Sequence, residues 1–184
     1  MKDNHFFDLL RRRRSIRAYT EKTIDPESVD LLVETLLRAP SSRSIKPWEF
    51  VVVDDRELLA ALSGAKEHGS SFLRNAALGI VVCADSRKSD VWVEDCAIAS
   101  ILVQMAAVSL GLGSCWIQIR NREHTGGKTS EKHVQELLGL PEHLKVESII
   151  SIGFPAETKI PVPAGDLDYH KVRHNRYADR YRPR

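Results

Sequence analysis

The chain has 184 residues, of which 42% are apolar and 28% charged, with 10 Gly and 8 Pro. This composition excludes a disordered or collagen-like protein and favours one globular domain over residues 1–184. The net charge of +2 is unevenly divided, because residues 1–20 carry +4 and residues 171–184 carry +5, which leaves an acidic body. Basic ends bind nucleic acid, acidic lipid or the phosphate of a small cofactor, and charge does not choose among these partners.

Helical and extended segments alternate along the chain. Apolar residues at helical spacing predict helices at 6–10, 26–37, 58–62, 91–110 and 130–138. Short apolar runs predict strands at 50–53, 78–83, 114–119 and 146–152. The second helix has the clearest start, with Asp25 as its N-cap and Pro26 at its first position, whereas Asp3 or Asn4 caps the first. The alternation predicts one mixed sheet with helices packed on it.

The helix at 91–110 is long and uncharged over most of its length. Residues 96–119 contain no Asp, Glu, Lys or Arg, and about 20 such residues can span a bilayer. Polar residues interrupt this run, Gly111 ends the helix before the span is complete, and Glu94 and Asp95 suit a helix start. We therefore predict a buried helix and no membrane span.

The same helix carries small side chains that permit close approach of another helix. They are Ala97, Ala99, Ser100, Ala106 and Ala107. We expect the helix to lie at the centre of a homodimer, and burial inside one subunit is the alternative.

The first candidate site is the arginine-rich segment 11–17, RRRRSIR, with Tyr19 close behind it. Guanidinium groups, a hydroxyl and backbone N–H groups together suit a phosphate monoester, because they form several charge-assisted hydrogen bonds at once. The alternative is a solvated basic face.

The second candidate is the polar loop 39–48, APSSRSIKPW, between a strong helix and a strong strand. Its hydroxyl groups and prolines suit the lining of a flat ring, with Trp48 packed beneath that ring. An ordered turn with a buried Trp explains the loop equally well.

The third candidate is the segment 111–118, GLGSCWIQ, where a helix gives way to a strand. Backbone and amide groups at such a junction can hydrogen-bond the polar edge of a heterocycle, although a helix C-cap and a core Trp are the alternative. The Gly-x-Gly here follows a helix and opens a strand, which is the reverse of the dinucleotide-binding order.

Five segments in the same order resemble the nitroreductase family of flavin-dependent oxidoreductases. They are Arg13-Arg14-Ser15-Ile16-Arg17-x-Tyr19, Ala39-Pro40-Ser41-Ser42 with Pro47-Trp48, the long helix leading into Gly111-Leu112-Gly113, Glu136-Leu137-Leu138-Gly139-Leu140-Pro141, and Ile152-Gly153-Phe154-Pro155-Ala156-Glu157. The resemblance implies an α+β, nitroreductase-like fold with a central mixed or antiparallel sheet flanked by helices. It also implies a homodimer with the long helix at the interface and one FMN at each of two subunit interfaces.

By position, the resemblance implies a role for each matching residue. The FMN phosphate and ribityl chain would be held by Arg13, Arg14, Ser15 and Arg17. The residues reaching the flavin from the partner subunit would be Pro40, Ser41, Ser42 and Ser44. The segment beside the isoalloxazine ring near N5 would be Trp116, Ile117 and Gln118. A basic group near the C-terminus often completes the phosphate site in this family, and Arg173 or Lys159 is the candidate here.

Two features depart from the family pattern. The family loop commonly reads Pro-Ser-Ser-x-Asn-x-Gln-Pro-Trp, whereas Ser44 and Lys46 occupy the Asn and Gln places. We expect Lys46 to contact the nicotinamide cofactor or an anionic oxidant. The segment Asn121–Ser130 is longer and more polar than the turn typical after this strand, and we expect it to form part of a lid or entrance.

The resemblance implies an enzyme that takes a hydride from NADH or NADPH onto flavin N5 and passes electrons to a small oxidant such as a nitroaromatic or quinone. FMN carries this chemistry, so we assign no catalytic residue. The rivals are a flavin-binding or electron-storage module and a nucleic-acid-binding protein. Seven histidines lack zinc-like spacing with the three cysteines, so we expect no metal site. The odd cysteine count and the absence of a signal peptide predict a cytoplasmic protein.

Overall fold

The computed structural model describes residues 5–183. Four strands form one sheet in the order β1-β2-β4-β3. They are β1 (Trp48–Val53), β2 (Leu78–Asp85), β3 (Gly113–Gln118) and β4 (Leu144–Gly153). Every neighbouring pair is antiparallel. The sheet, expected to be mixed or antiparallel, is therefore antiparallel between all neighbours. The α3 and α5 connections return the chain to the end of the sheet it has just left, whereas α4 crosses to the opposite end, and β4 lies between the two parallel strands β2 and β3. Alternation of helices and strands counts the elements without fixing their direction.

All five predicted helices are present within a few residues of their predicted bounds. They are α1 (His5–Arg12), α2 (Pro26–Leu37), α3 (Arg56–Leu62), α4 (Trp92–Ser109) and α5 (Ser130–Leu138). A small hairpin, β5 (Arg173–His174) and β6 (Arg176–Arg180), lies near the C-terminus and was not predicted. The predicted cap at Asp3 or Asn4 lies outside the described residues.

Local chemistry explains the clearest helix ends. The Asp25 carboxylate accepts the Ser28 backbone N–H at 2.8 Å, as an N-cap should. At the end of α4, Gly111 adopts φ 73°, a left-handed conformation that glycine tolerates, and the Leu112 N–H donates to the Ala107 carbonyl at 2.8 Å. This turn leads the chain directly from α4 into β3.

Helices cover both faces of the sheet. The α2–α4 pair packs on one face, and α3 and α5 pack on the other. Helix α4 is long and apolar enough to cross a membrane by length and composition, but it packs against α2 and the sheet as a core helix.

The small side chains of α4 serve the subunit core more than an outer surface. Ala99, Ser100 and Ala107 are buried within the subunit, so the predicted use of these three residues in a dimer contact is wrong. Ile98 and Ile101 are instead 38% and 42% exposed. These two isoleucines leave an apolar strip on the outer side of the helix.

A glycine pair lets the N-terminal segment cross the start of β3. Gly113 pairs with Gly153 of β4, and a Cβ at Gly113 would lie 2.8 Å from the Cβ of Ile16. The Ile16 N–H donates to the Ser114 carbonyl at 2.9 Å, while the hydroxyl of the buried Tyr19 donates to the Ile16 carbonyl at 2.7 Å. These contacts fix the arginine-rich segment against the edge of the sheet.

Candidate functional site

The arginine-rich segment is extended after α1, so its side chains alternate between two sides. Ile16 points into the core, at 8% exposure. Its neighbours Ser15 and Arg17 therefore point the other way, together with Arg13. The segment thus separates Arg13 and Arg17 from Arg14.

Arg13, Ser15 and Arg17 lie near the buried Cys115 of β3. Burial raises the pKa of the Cys115 thiol, and four nearby groups oppose that rise: Arg17, Ser15, Lys66 and Arg13. Three cations and a hydroxyl thus gather around one position on β3. Among residues 5–183, no acidic side chain forms an ion pair with any of these three cations. The cluster suits an anion supplied from outside the chain.

Arg14 lies on the other side, at a cleft of about 290 Å³ that it shares with Gly111 and Lys159. Its guanidinium donates to the Ile160 carbonyl. Lys159 forms an ion pair with Glu157 at 2.7 Å. This contact is the main reason that the pKa of the Glu157 carboxyl lies below its usual range. Arg14 and Lys159 therefore both have partners in residues 155–183, which we call the C-terminal segment.

Glu157 fastens that segment to the cationic one. Its Oε1 accepts the backbone N–H groups of Arg17 at 2.6 Å and Ala18 at 3.3 Å. The Arg17 side chain remains exposed, with its guanidinium 5.8 Å from the centre of the Phe72 ring. The sequence motif contained Glu157, but its spacing gave no sign of this contact.

Strand β3 forms one edge of the sheet, and its outer backbone groups define the second part of the site. The Ile119 N–H donates to the Glu147 carbonyl, so the Gln118–Ser148 pair is a non-hydrogen-bonded pair of the antiparallel ladder. The N–H and C=O groups of Gln118 therefore point away from β4, as do those of Trp116 two residues earlier. Among the described residues, no backbone hydrogen bond occupies this stretch of the edge.

The side chains of this segment are already engaged. Ile117 is fully buried in the core. The Trp116 indole N–H donates to Gln118 Oε1 at 2.8 Å, and Gln118 Nε2 lies 3.1 Å from the Arg120 carbonyl and 3.2 Å from Glu147 Oε1. The side chains of Ile117 and Gln118 are therefore not free to contact a ring. A ring at this position would be contacted by the main chain and by the indole face of Trp116.

The loop before β1 is tied to the first turn of α4. The buried Asp95 accepts the Ser42 backbone N–H at 2.8 Å, and Arg43 pairs with Asp90 at 2.8 Å. Ser41 Oγ accepts the Lys46 N–H at 2.8 Å and closes the loop. Asp95 thereby positions the hydroxyl-bearing part of the loop, a role that sequence spacing gave no means to predict.

Three residues of this loop, Arg43, Ser44 and Lys46, adopt φ between 51° and 55°. This left-handed conformation is uncommon for residues other than Gly, Asn and Asp, so the loop backbone is strained at these three positions. Pro40, Ser44 and Lys46 are exposed. Trp48 is buried against Phe50, so it belongs to the core of its own subunit.

Two other predicted features make contacts of their own. Arg173 on the C-terminal hairpin donates to the His170 carbonyl and lies 5.1 Å from the Tyr177 ring centre. The segment predicted as a lid, Asn121–Ser130, borders a cleft of about 440 Å³ that is also lined by Trp92.

Known proteins match this chain over most of its length. The family profile described as "Nitroreductase family" matches residues 10–68 and 59–154. A protein of Archaeoglobus fulgidus is 40% identical over 151 residues, which cover 80% of this chain and 83% of the relative. A protein of Methanothermobacter thermautotrophicus is 33% identical over 153 residues, covering 82% and 77% of the two chains. Both are described as "putative NADH dehydrogenase/NAD(P)H nitroreductase".

A solved structure from Clostridium difficile R20291, described as an FMN-dependent nitroreductase, has the same fold with a TM-score of 0.91. It is 45% identical to this chain, and the match covers 93% of this chain and 99% of the other. The similarity therefore extends over the sheet, both helical layers and the segments that build the candidate site.

Proposed function

Because the chain belongs to the nitroreductase family, we propose that it is an FMN-dependent oxidoreductase that uses NADH or NADPH to reduce a small oxidant such as a nitroaromatic or quinone. The observation that carries this proposal is the pairing of an unneutralised cationic cluster with an unpaired strand edge. A phosphate at the cluster and a heterocycle at the edge would satisfy both. Bound FMN would supply the redox chemistry, accepting a hydride at N5 and passing electrons on.

The phosphate and ribityl chain would be held by Arg13, Ser15 and Arg17, with Lys66 as a fourth contributor. Burial lowers the pKa of Lys66, and repulsion from Arg122 lowers it further. An anion bound nearby would stabilise the charged form of Lys66. Arg14 stands behind this group at the opposite cleft. Arg14, which the family resemblance places at the phosphate, would instead hold the segment around Ile160.

The flat end of the cofactor would lie along β3. The outward N–H groups of Trp116 and Gln118 would donate to the polar edge of the ring, which requires no free side chain. The hydrogen-bonded amide of Gln118 keeps this stretch of the strand in place. The pocket near N5 would then be shaped by backbone and by the indole of Trp116.

The remaining contacts would come from a second subunit, through the loop residues Pro40, Ser41, Ser42 and Ser44, as the family resemblance implies. We infer a homodimer centred on the exposed side of α4. Apolar side chains from α1, α4 and the C-terminal segment are also exposed: Phe6, Phe7, Leu10, Ile98, Ile101, Ile160 and Tyr177. A partner subunit would cover this surface and place Lys46 beside the opposite flavin, where it would meet NAD(P)H or an anionic oxidant.

The dimer has a direct test. Sedimentation velocity of the flavin-loaded protein at micromolar concentration should give one species of twice the chain mass, because two cofactor sites require two subunits. Ile101→Lys should shift this species towards monomer and release FMN, since it places a charge in the proposed interface. Thr35→Lys on the neighbouring helix is a control for the added charge. A wild-type monomer that retains FMN would contradict the proposal.

The function itself is tested by colour. The purified protein should be yellow, and anaerobic NADPH or NADH should bleach its flavin absorbance, with the colour returning on addition of a quinone or nitroaromatic. Yellow protein that neither donor bleaches would support an electron-storage module instead. Colourless protein that is retained on DNA would return the basic ends to a role in nucleic-acid binding. We also infer a cytoplasmic location, in keeping with three reduced, buried cysteines.

A further inference from the structure

A buried carboxyl group stands directly behind the free edge of β3. The pairing of β2 with β4 passes from Val82–Ser148 to Cys83–Val146, which leaves Glu147 in a β-bulge. Its side chain is 6% exposed. Bulges re-aim single side chains and are frequent beside active sites. Here the bulge turns an acidic side chain towards β3.

The carboxyl group is incompletely satisfied. Its Oε1 accepts Gln118 Nε2 at 3.2 Å, whereas its Oε2 lies 4.0 Å from Arg120 Nε and has no hydrogen-bond partner among the described residues. The other titratable groups near it are Glu94 and Cys96 of α4. Burial raises the pKa of Glu147, Gln118 and Arg120 oppose that rise, and Glu94 adds to it. A buried carboxyl with an unpaired oxygen is costly, so its position suggests a role beyond packing.

A short hydrogen-bonded chain connects this charge to the strand edge. Glu147 holds the amide of Gln118, and Gln118 Oε1 accepts the indole N–H of Trp116. Trp116 and Gln118 are the residues of this edge whose main-chain N–H groups have no backbone partner among the described residues. Only the side chains of Gln118 and Trp116 in this hydrogen-bonded chain connect Glu147 to the strand edge. The charge of Glu147 would therefore change the electrostatic potential at a group bound there.

We propose that Glu147 sets the reduction potential of the flavin held at this edge, an inference that rests on the proposed function. In that reaction a hydride leaves NAD(P)H as NAD(P)⁺ forms and brings two electrons and one proton to FMN, so the reduced flavin gains one negative charge. A carboxylate behind the ring repels this charge and lowers the potential. Glu147 is thus a positioning residue that acts through Gln118 and its own charge. Below the pKa of Glu147 the carboxyl is neutral and the repulsion disappears.

The test is an anaerobic, dye-equilibrated redox titration of FMN-loaded wild-type protein and the E147Q variant between pH 5 and pH 8. The amide keeps the shape and the contact to Gln118 but removes the charge. At pH 8 the variant should hold about tenfold more reduced flavin at a given ambient potential, equivalent to about 30 mV for a two-electron couple. This difference should shrink as the pH falls, because burial raises the pKa of Glu147 and so brings its protonation closer to neutral pH. E57Q, which removes an exposed carboxylate of α3, is the matched control and should leave the titration unchanged.

Identical wild-type and E147Q titrations at every pH would overturn the inference. A shift of equal size at every pH would do so too, because it would reflect changed shape and not charge. If E147Q fails to load FMN, infrared difference spectra of reduced minus oxidised wild-type protein, recorded at several values between pH 5 and pH 8, give the same answer. A protonated-carboxyl band must then grow on reduction, and its absence refutes the role of Glu147. Wild-type protein that binds no FMN would instead refute the proposed function.

Discussion

Replacing Arg13 or Arg17 by alanine should weaken FMN binding roughly 10- to 100-fold. Each guanidinium lies in the cluster around Cys115, on the side of the segment that Ser15 shares. Loss of a hydrogen bond to a charged group costs about 1.5–3 kcal/mol, and about 1.4 kcal/mol corresponds to a tenfold change in affinity. Titration of FMN into the apo-protein, followed by quenching of flavin fluorescence at fixed ionic strength, measures the loss.

Two other arginines of the same run provide matched controls. Arg14 donates to the Ile160 carbonyl on the opposite side, and Arg11 forms an exposed pair with Asp8. Arg14→Ala and Arg11→Ala should therefore change the FMN dissociation constant less than about threefold, since exposed pairs contribute little. Equal small losses at all four positions would reduce the run to a solvated basic face. A large loss at Arg14 alone would assign the phosphate to the other cleft.

Gly113→Ala should both destabilise the fold and weaken FMN binding. The new Cβ would lie 2.8 Å from the Cβ and Cγ2 of Ile16 and 2.9 Å from its Cγ1. Ile16 is buried and β-branched, so it cannot rotate away and the cationic segment must shift. Overpacking of this kind costs about 1–3 kcal/mol, which lowers the thermal midpoint by roughly 2–4 °C per kcal/mol for a chain of this size.

Two controls accompany this change: an alanine at a glycine with open space around it, and a double variant that shortens Ile16. At Gly165 no atom lies within 4 Å of the position that a Cβ would take, so Gly165→Ala should leave both stability and FMN affinity unaltered. Combining Gly113→Ala with Ile16→Ala should be less damaging than the sum of the two single changes, because the close contacts to Cγ2 and Cγ1 are removed and the smaller side chain at position 16 can shift away from the new Cβ. Additive losses in calorimetry would show that the two residues do not meet.

Much of the fold was predictable because its signals are local. The N-cap of Asp25 and the stop after α4 at Gly111 depend on residues within one turn, and the structure confirms both. The order of the strands and their antiparallel pairing depend on contacts between distant segments, which hydrophobic periodicity does not encode. For this reason the prediction left the sheet as mixed or antiparallel, and the structure shows the antiparallel arrangement.

The site was predictable in its segments and less so in its detail. The arginine run was identified as one cluster, but an extended backbone over Ile16 divides it into two sides, and this division depends on the path of the chain across Gly113. Asp95 was interpreted only as part of a helix start, and Glu147 lies in a strand that was predicted from its apolar residues. Their partners, Ser42 and Gln118, are far away in sequence. Lys66 is likewise near Cys115 only in the folded chain.

The unpaired edge of β3 also affects the chain before it acquires a cofactor. An open strand edge is a template for strands of other molecules and therefore a hazard for aggregation. The N-terminal segment already seals this edge at Ser114, which leaves the outward groups of Trp116 and Gln118. A flavin bonded there would act as a cap as well as a redox centre. Riboflavin supply during synthesis would then govern how much of the protein escapes inclusion bodies, independently of how active each molecule is.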